Sequence, residues 1–381
     1  MDKSRLFTPL RIGNVDVKHR IGMAPLTRLR AAEGRVPTPI MKEYYGQRAS
    51  VPGTLIITEG TFISQAGSGC FPGAPGIWSE EQIAAWKPIV DEVHRKGSFI
   101  YLQLFAAGRV ANAEVAKSEG IEVKAPSAIP CVAGDPSPEP MTIEEVKQFV
   151  EDFVTAAKNA ISAGFDGVEC HGANGYLIDQ FLQDVSNQRT DEYGGSVGNR
   201  SRFAVEVLKA VSDAIGPERV GFRLSPWSTF NSMRMENPIP QFEDVIRKAS
   251  QLNIGYLHLV EGRVAGAEDL ETNESLDFAY RLWNGPLLVA GGHSLTTARE
   301  LVDEEYPDKD ILVIFGRHFI SNPDLVYRIK EGIKLAAYDR STFYTKDAVG
   351  YLDYAFSTEF LASQRGSVGL VKDTNSVKVV A

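Results

Sequence analysis

Gly167-Val168-Glu169-Cys170-His171-Gly172-Ala173-Asn174-Gly175-Tyr176 begins as a short run with apolar residues at every second place and ends in a glycine-rich loop. Such a run predicts a buried strand whose end opens into a turn. Successive strand side chains point to opposite faces. Val168 and Cys170 therefore share the face that suits packing against helices, while Glu169 and His171 share the other. Asn174 and Tyr176 follow in the loop, so His, Asn and Tyr can gather around one small pocket. His and Asn can both donate hydrogen bonds to one carbonyl oxygen, stabilising the charge it gains during attack at a conjugated position. A Tyr hydroxyl can protonate the resulting enolate. The same spacing also suits a plainer arrangement, with His capping the next helix, Asn in a turn and Tyr in packing.

Seven similar runs lie on either side: Arg20–Ala24, Thr54–Thr58, Phe99–Leu104, Val220–Leu224, Tyr256–Val260, Leu287–Ala290 and Ile311–Phe315. Each is short, rich in Val, Ile, Leu or aromatics, and has Gly or Pro close by. Amphipathic helix patterns alternate with them. Glu80–Lys96 has Ser79 as its N-cap and Gly97 just past its end. Thr142-Ile143-Glu144-Glu145 reads as a capping box leading a helix to Gly164. Asn199–Ile215, Gln241–Leu252, Ser275–Trp283, Thr296–Glu305 and Pro323–Gly332 follow the same logic. Eight strand–helix alternations without a linker-like boundary predict an α/β chain folded as a single (β/α)8 TIM barrel. The runner-up, a doubly wound sheet, wants a G-x-G-x-x-G turn after an early strand, and none stands there. Phe7–Lys18, with Gly13-Asn14 at its centre, predicts a hairpin across the barrel's bottom. Gly108–Met141 is too long for an ordinary connection and predicts a capping loop after the third strand.

The 381 residues are 23% charged and 43% hydrophobic, a balance that excludes a disordered or collagen-like chain. Forty Lys and Arg against 49 Asp and Glu leave a net charge of −9, which disfavours nucleic acid as a main partner. No apolar run approaches ~18 residues, and the polar start Met1-Asp2-Lys3-Ser4-Arg5 lacks a signal-peptide core. With three cysteines and no paired metal spacing, a cytoplasmic protein without membrane contact is expected.

Active sites of such barrels sit at the C-terminal strand ends. The alternation turns Gln103, His171 and Arg223 inward at three of them. Buried polar groups need partners. These three either satisfy one another and Glu169 in an internal network, or face a polar ligand. The seventh and eighth strands end in Gly291-Gly292 and Gly316-Arg317. Glycines let backbone N–H groups approach an anion, and the last two loops of these barrels often hold a phosphate. Two tight turns and a surface Arg would look the same.

At these residues the chain resembles the old yellow enzyme family of FMN-dependent ene-reductases. The resemblance runs from Leu6 to Tyr354 and rests on M-A-P-L-T-R at 23–28, E-Y-Y-G-Q-R-A at 43–49 and P-G-T-L-I-I-T-E-G at 52–60. It continues through P-G-I-W-S-E at 75–80, H-G-A-N-G-Y-L at 171–177, D-E-Y-G-G-S at 191–196, F-G-R-H-F-I-S-N-P-D-L at 315–325 and Y-D-R-S-T-F-Y at 338–344. It is nearest to the fungal branch, which contains ergot-alkaloid-pathway reductases of the chanoclavine-I aldehyde kind.

The resemblance implies an FMN-binding barrel over 1–365 with a C-terminal extension over 366–381. It implies that Pro25, Leu26, Thr27, Gly60, Gln103, Arg223, Gly291, Gly292, Gly316 and Arg317 hold FMN, the last three at its phosphate. His171 and Asn174 match the carbonyl-binding pair and Tyr176 the proton donor. Thr27, Phe105, Phe278 and Tyr344 match positions lining the substrate pocket, with Phe105 standing where the yeast archetype has Trp. The implied reaction takes hydride from NADPH to the flavin, then to the β-carbon of an α,β-unsaturated aldehyde or ketone. Tyr176 protonates the α-carbon. A pathway-specific reductase or isomerase of a fungal metabolite is the alternative. A monomer or homodimer is expected. The loops Val110–Met141 and Thr229–Gln241 are expected to shape the pocket. A flavin-free lyase would want a Schiff-base Lys or a metal cluster at the strand tops, and neither is seen there.

Overall fold

A computed structural model describes residues 3–265, 268–269 and 274–371. The short apolar runs form eight parallel strands: β1 (Ile21–Met23), β2 (Leu55–Ile57), β3 (Phe99–Phe105), β4 (Gly167–Gly172), β5 (Val220–Leu224), β6 (Tyr256–Val260), β7 (Leu287–Ala290) and β8 (Ile311–Phe315). Each pairs with the next, and β8 pairs with β1, so the sheet closes into a cylinder. The main surrounding helices are α1 (Pro39–Arg48), α2 (Glu80–Arg95), α3 (Ile143–Ser162), α4 (Arg202–Ile215), α5 (Ile239–Gln251), α6 (Asp277–Leu282), α7 (Leu295–Glu300) and α8 (Leu325–Glu331). The chain is therefore a (β/α)8 barrel.

Alternation along the strands divides the core in two. Ile100, Leu102, Leu104, Val168, Cys170, Phe222 and Leu224 pack outward in the layer shared with the helices. Leu55, Ile57, Tyr101, Tyr256, Leu288, Leu312 and Ile314 fill the lumen together with Leu10, Ile12, Val15 and Val17. Those last four belong to the N-terminal hairpin, Leu10–Ile12 against Val15–Val17, which seals the bottom. Tyr101 donates its hydroxyl to Asn14 Oδ1 at 2.5 Å, and Asn14 Nδ2 donates to the Asp166 carbonyl at 2.9 Å.

Several helices depart from expectation. The Asn199–Ile215 pattern is interrupted at Ser201, giving a short helix Val197–Arg200 before α4. Thr296–Glu305 is α-helical only as far as Glu300 and continues as a π-turn over Leu301–Glu305. Helix α1 was not expected. Its buried residues include Tyr44, Tyr45, Gly46 and Arg48, which form no apolar stripe, and only Pro39 after Thr38 marks its start. The excursion 108–141 holds a helix, Ala113–Ser118, and a two-residue ladder, Lys124–Ala125 with Glu139–Pro140. At the far end a helix runs over Thr358–Val371, so position 366 falls inside it; residues 372–381 of the expected extension lie outside the described residues. Among the described residues no helix is long and apolar enough to cross a membrane.

Candidate active site

A cavity of about 650 Å³ opens at the C-terminal ends of the strands. Register brings polar groups together at and beneath it: Gln103 of β3 lies beside the fully buried Glu169 of β4, and His171, Arg223 and the buried His258 lie abreast on β4, β5 and β6. Gln103 Nε2 donates to Glu169 Oε1 at 2.8 Å, and His258 Nδ1 meets Glu169 Oε2 at 2.8 Å. Burial alone would raise the Glu169 carboxyl, but His258, Arg223 and Gln103 outweigh it and hold it below the usual range. Burial, aided by Arg223, keeps His258 below its ordinary value. A neutral ring beside an ionised carboxylate carries its proton on Nδ1 and donates it there. Part of the inward set thus satisfies itself.

The rest does not. Arg223 Nε, His171 Nδ1 and His258 Nε2 are buried without a hydrogen-bond partner. Orphaned buried groups are costly, and the two that belong to walls of the cavity, on Arg223 and His171, suit a polar ligand there. Burial, then the charge of Arg223, pushes His171 far below its usual value, so it is a neutral imidazole at pH 7. Burial also drives the Tyr176 phenol well above its usual range, so it stays protonated. The two rings stand 5.1 Å apart.

The turn after β4 sets Asn174 and Tyr176. Asn174 takes a left-handed backbone, φ 57°, which Asn tolerates better than most residues. The Asn174 N–H donates to Ser225 Oγ at 2.8 Å, and the Gly175 N–H to Asp179 Oδ2 at 2.8 Å. Asp179 is wholly buried, which pushes its carboxyl up to about 7.

At the other end of the cavity lie Gly291, Gly292, Gly316 and Arg317. Gly292 sits at φ 67°, where a side chain would strain the backbone. Arg317 opens a short helix, Arg317–Ser321, and its guanidinium stands 5.5 Å from the Tyr338 ring. The described walls carry Arg223 and Arg317, three histidines and no carboxylate. In a chain of net charge −9 this is a local reversal of sign, and it suits an anion.

Pro25, Leu26, Thr27, Gln103, His171, Asn174, Tyr176, Arg223, Gly291, Gly292, Gly316, Arg317 and Tyr344 all line this one cavity. Three expected residues do not. Phe105 is 3% exposed, with its ring edge-on to Tyr176 at 5.0 Å and stacked on Phe62 at 4.3 Å. It backs the Tyr176 ring, which takes the wall position in front of it. Gly60 lies behind Gln103: a Cβ there would come 3.0 Å from the Phe105 ring and 3.5 Å from Gln103 Oε1. Phe278 is buried in the outer core against Trp227. The excursion 110–141 also contributes no wall residue, whereas Thr229, Phe230 and Asn231 do.

Sequence reasoning overlooked His258, His293 and Phe343. The period-two rule that turned Arg223 inward would have turned His258 inward as well, between Tyr256 and Val260. Phe343 reaches the cavity from a distant segment, for which the barrel pattern holds no signal.

Residues 5–336 match the NADH:flavin oxidoreductase / NADH oxidase family, and the chain belongs to it. It is 52% identical over 361 residues to a chanoclavine-I aldehyde reductase of Penicillium roqueforti, covering 94% of this chain and 98% of that one. An NADP-dependent oxidoreductase of Aspergillus flavus is 50% identical over 93% of this chain and 97% of its own. Among solved structures, an old yellow enzyme homologue from Zymomonas mobilis superposes with a TM-score of 0.83 at 38% identity, covering 92% of this chain and 99% of that one. The protein is therefore an oxidoreductase of the old yellow enzyme type, a class whose family description names a flavin. The orphaned Arg223 and His171 nitrogens, the carboxylate-free walls and the Gly292 and Arg317 end fit FMN.

Proposed function

We propose that this protein is an FMN-dependent, NADPH-consuming ene-reductase acting on the C=C bond of α,β-unsaturated aldehydes and ketones. One observation carries the reading: a neutral His171, Asn174 and a protonated Tyr176 converge on one cavity whose far end is built for an anion. Gln103 and Arg223 would hold the ring system of FMN, and Gly292, Gly316 and Arg317 its phosphate. When bound, FMN supplies the electron pair, which reaches the β-carbon as hydride after reduction by a nicotinamide donor.

The chain's own groups do the rest. His171 and Asn174 donate hydrogen bonds to the substrate carbonyl oxygen and stabilise the enolate charge that gathers there. His171 is suited to this because a neutral ring keeps a donor N–H while leaving the oxygen unprotonated. Tyr176 delivers its hydroxyl proton to the α-carbon. Arg223, charged and buried, favours the state of the site that holds more negative charge. Phe230 and Tyr344 at the cavity mouth are part exposed and offer apolar faces to a substrate's tail.

Relatedness to a chanoclavine-I aldehyde reductase supports a narrower second reading, an unsaturated aldehyde of fungal secondary metabolism as substrate. Relatedness to an NADP-dependent oxidoreductase supports NADPH as donor. The test is to purify the protein, load it with FMN and follow both half-reactions anaerobically. Tyr176→Phe is expected to slow alkene reduction by ~10²-fold or more while flavin reduction by NADPH keeps its rate. Equal losses in both halves would remove Tyr176 from the role of proton donor, and a chain that takes up no FMN would end the proposal.

A further inference from the structure

The turn that carries Asn174 and Tyr176 is held by side chains. Its Asn174 carbonyl accepts from Asn231 Nδ2 at 2.9 Å. Asn231 belongs to a segment in unusual backbone: Asn231 and Ser232 have φ of 57° and 55°, and Arg234 has 98°. Non-glycine residues seldom occupy this region, and such a run persists only where its surroundings over-determine it. The segment lies directly on the turn, since a Cβ at Gly175 would come 2.7 Å from Asn231 Cβ and 2.8 Å from Met233 Cγ.

What holds the segment comes from the excursion after β3. Arg109 is 5% exposed and is not a wall of the cavity. Its Nη2 donates to the carbonyls of Asn231 and Ser232 at 3.1 and 3.0 Å. Its backbone N–H donates to Gln180 Oε1 at 3.0 Å, and Gln180 Nε2 donates to the Gly175 carbonyl at 2.7 Å. One residue outside the pocket is thus linked to the turn twice, through Asn231 to Asn174 and through Gln180 to Gly175.

We propose that Arg109 and Asn231 are positioning residues for substrate binding: Arg109 fixes the left-handed Asn231–Ser232 segment, and Asn231 passes that placement to Asn174, setting how its amide meets the substrate oxygen. This rests on the carbonyl-binding role of Asn174 proposed above. Nη2 alone serves both carbonyls while Nη1 reaches the Pro130 carbonyl at 3.4 Å, so the rigid guanidinium plane fixes the segment against the excursion; an ammonium on a flexible stem offers no such plane. The excursion 108–141 thereby contributes to affinity without touching the ligand.

The test is a double-mutant cycle on the FMN-loaded full chain, with 4-chlorophenol as an enolate mimic read from its long-wavelength charge-transfer absorbance. Arg109→Lys is expected to weaken phenol binding roughly tenfold when Asn174 is present, and less than about twofold in an Asn174→Ala background. FMN affinity should change less than about twofold in either. Asn231→Gly tolerates left-handed backbone, removes the donor and adds no charge to the cavity wall. It should give the same pattern, and it carries the test alone should Arg109→Lys not fold. Equal losses in both backgrounds would mean general loosening, and no loss would mean no coupling; either overturns the proposal. If Asn174→Ala alone leaves phenol affinity intact, the carbonyl-binding role itself falls, and the positioning proposal with it.

Discussion

Asp179 accepts the Gly175 N–H from below the turn that carries Asn174 and Tyr176, and burial raises its carboxyl from 3.8 to about 7. A raised acid binds its proton more tightly in the folded state than in the unfolded one. Its contribution to stability is therefore full below about 4 and is lost as pH rises through about 7. The buried His19, lowered to about 4, acts in the opposite sense, so the wild-type profile alone does not isolate Asp179. The difference between Asp179→Asn and wild type does. Measured by urea unfolding, the mutant should gain relative to wild type as pH climbs from about 4 to 7, then hold level. A difference that stays flat across that window would mean that Asp179 is not held protonated by burial. At this scale the sequence was most informative where strand alternation applied: His171, Gln103 and Arg223 point where period two sends them. It was least informative for Phe105, because whether an inward residue lines a cavity or supports the residue that does depends on a ring arriving from another loop.

Among the elements, the N-terminal hairpin is legible from its Gly-Asn centre and its alternating flanks, and it does close the lumen. Gly13 shows how tightly it fits. Its φ is 53°, and a Cβ there would lie 2.0 Å from the Glu218 carbonyl oxygen. Gly13→Ala combines a left-handed penalty with a backbone clash and is expected to cost about 2–4 kcal/mol. Thermal unfolding should register the loss, with the phenol affinity of surviving folded protein unchanged. A melting temperature equal to wild type would show that the hairpin can lift away from Glu218. Helix α1 escaped notice for a physical reason. It buries Tyr44, Tyr45 and Arg48 in a polar-aromatic contact instead of presenting an apolar stripe, and periodicity arguments detect only the stripe.

Over the whole molecule, the segment just past β1 meets residues 342–351 beside the cavity. Arg28, fully buried just past β1, donates to the carbonyls of Phe343 and Gly350 and to the Tyr44 hydroxyl. Arg30 donates to the carbonyls of Phe343 and Thr342. Tyr351 stacks on Tyr44 at 4.0 Å and lies near both guanidinium groups. This strap brings Phe343 and Tyr344 to the cavity. Tyr351→Ala should cost about 3–5 kcal/mol as a large buried ring is lost. It should also loosen the cavity wall, so that ligand affinity falls along with the melting temperature. A stability loss with unchanged phenol binding would show that the wall is held by the arginines alone. None of this was visible in the spacing of strands and helices, since contacts between residues more than 300 positions apart leave no local pattern.

The support that Phe105 gives to Tyr176 has a bearing on how such a catalyst diversifies. A heavier or lighter ring at that buried position would tilt the phenol from behind without itself joining the wall. Change there would reach the chamber through a residue that no map of its lining would include.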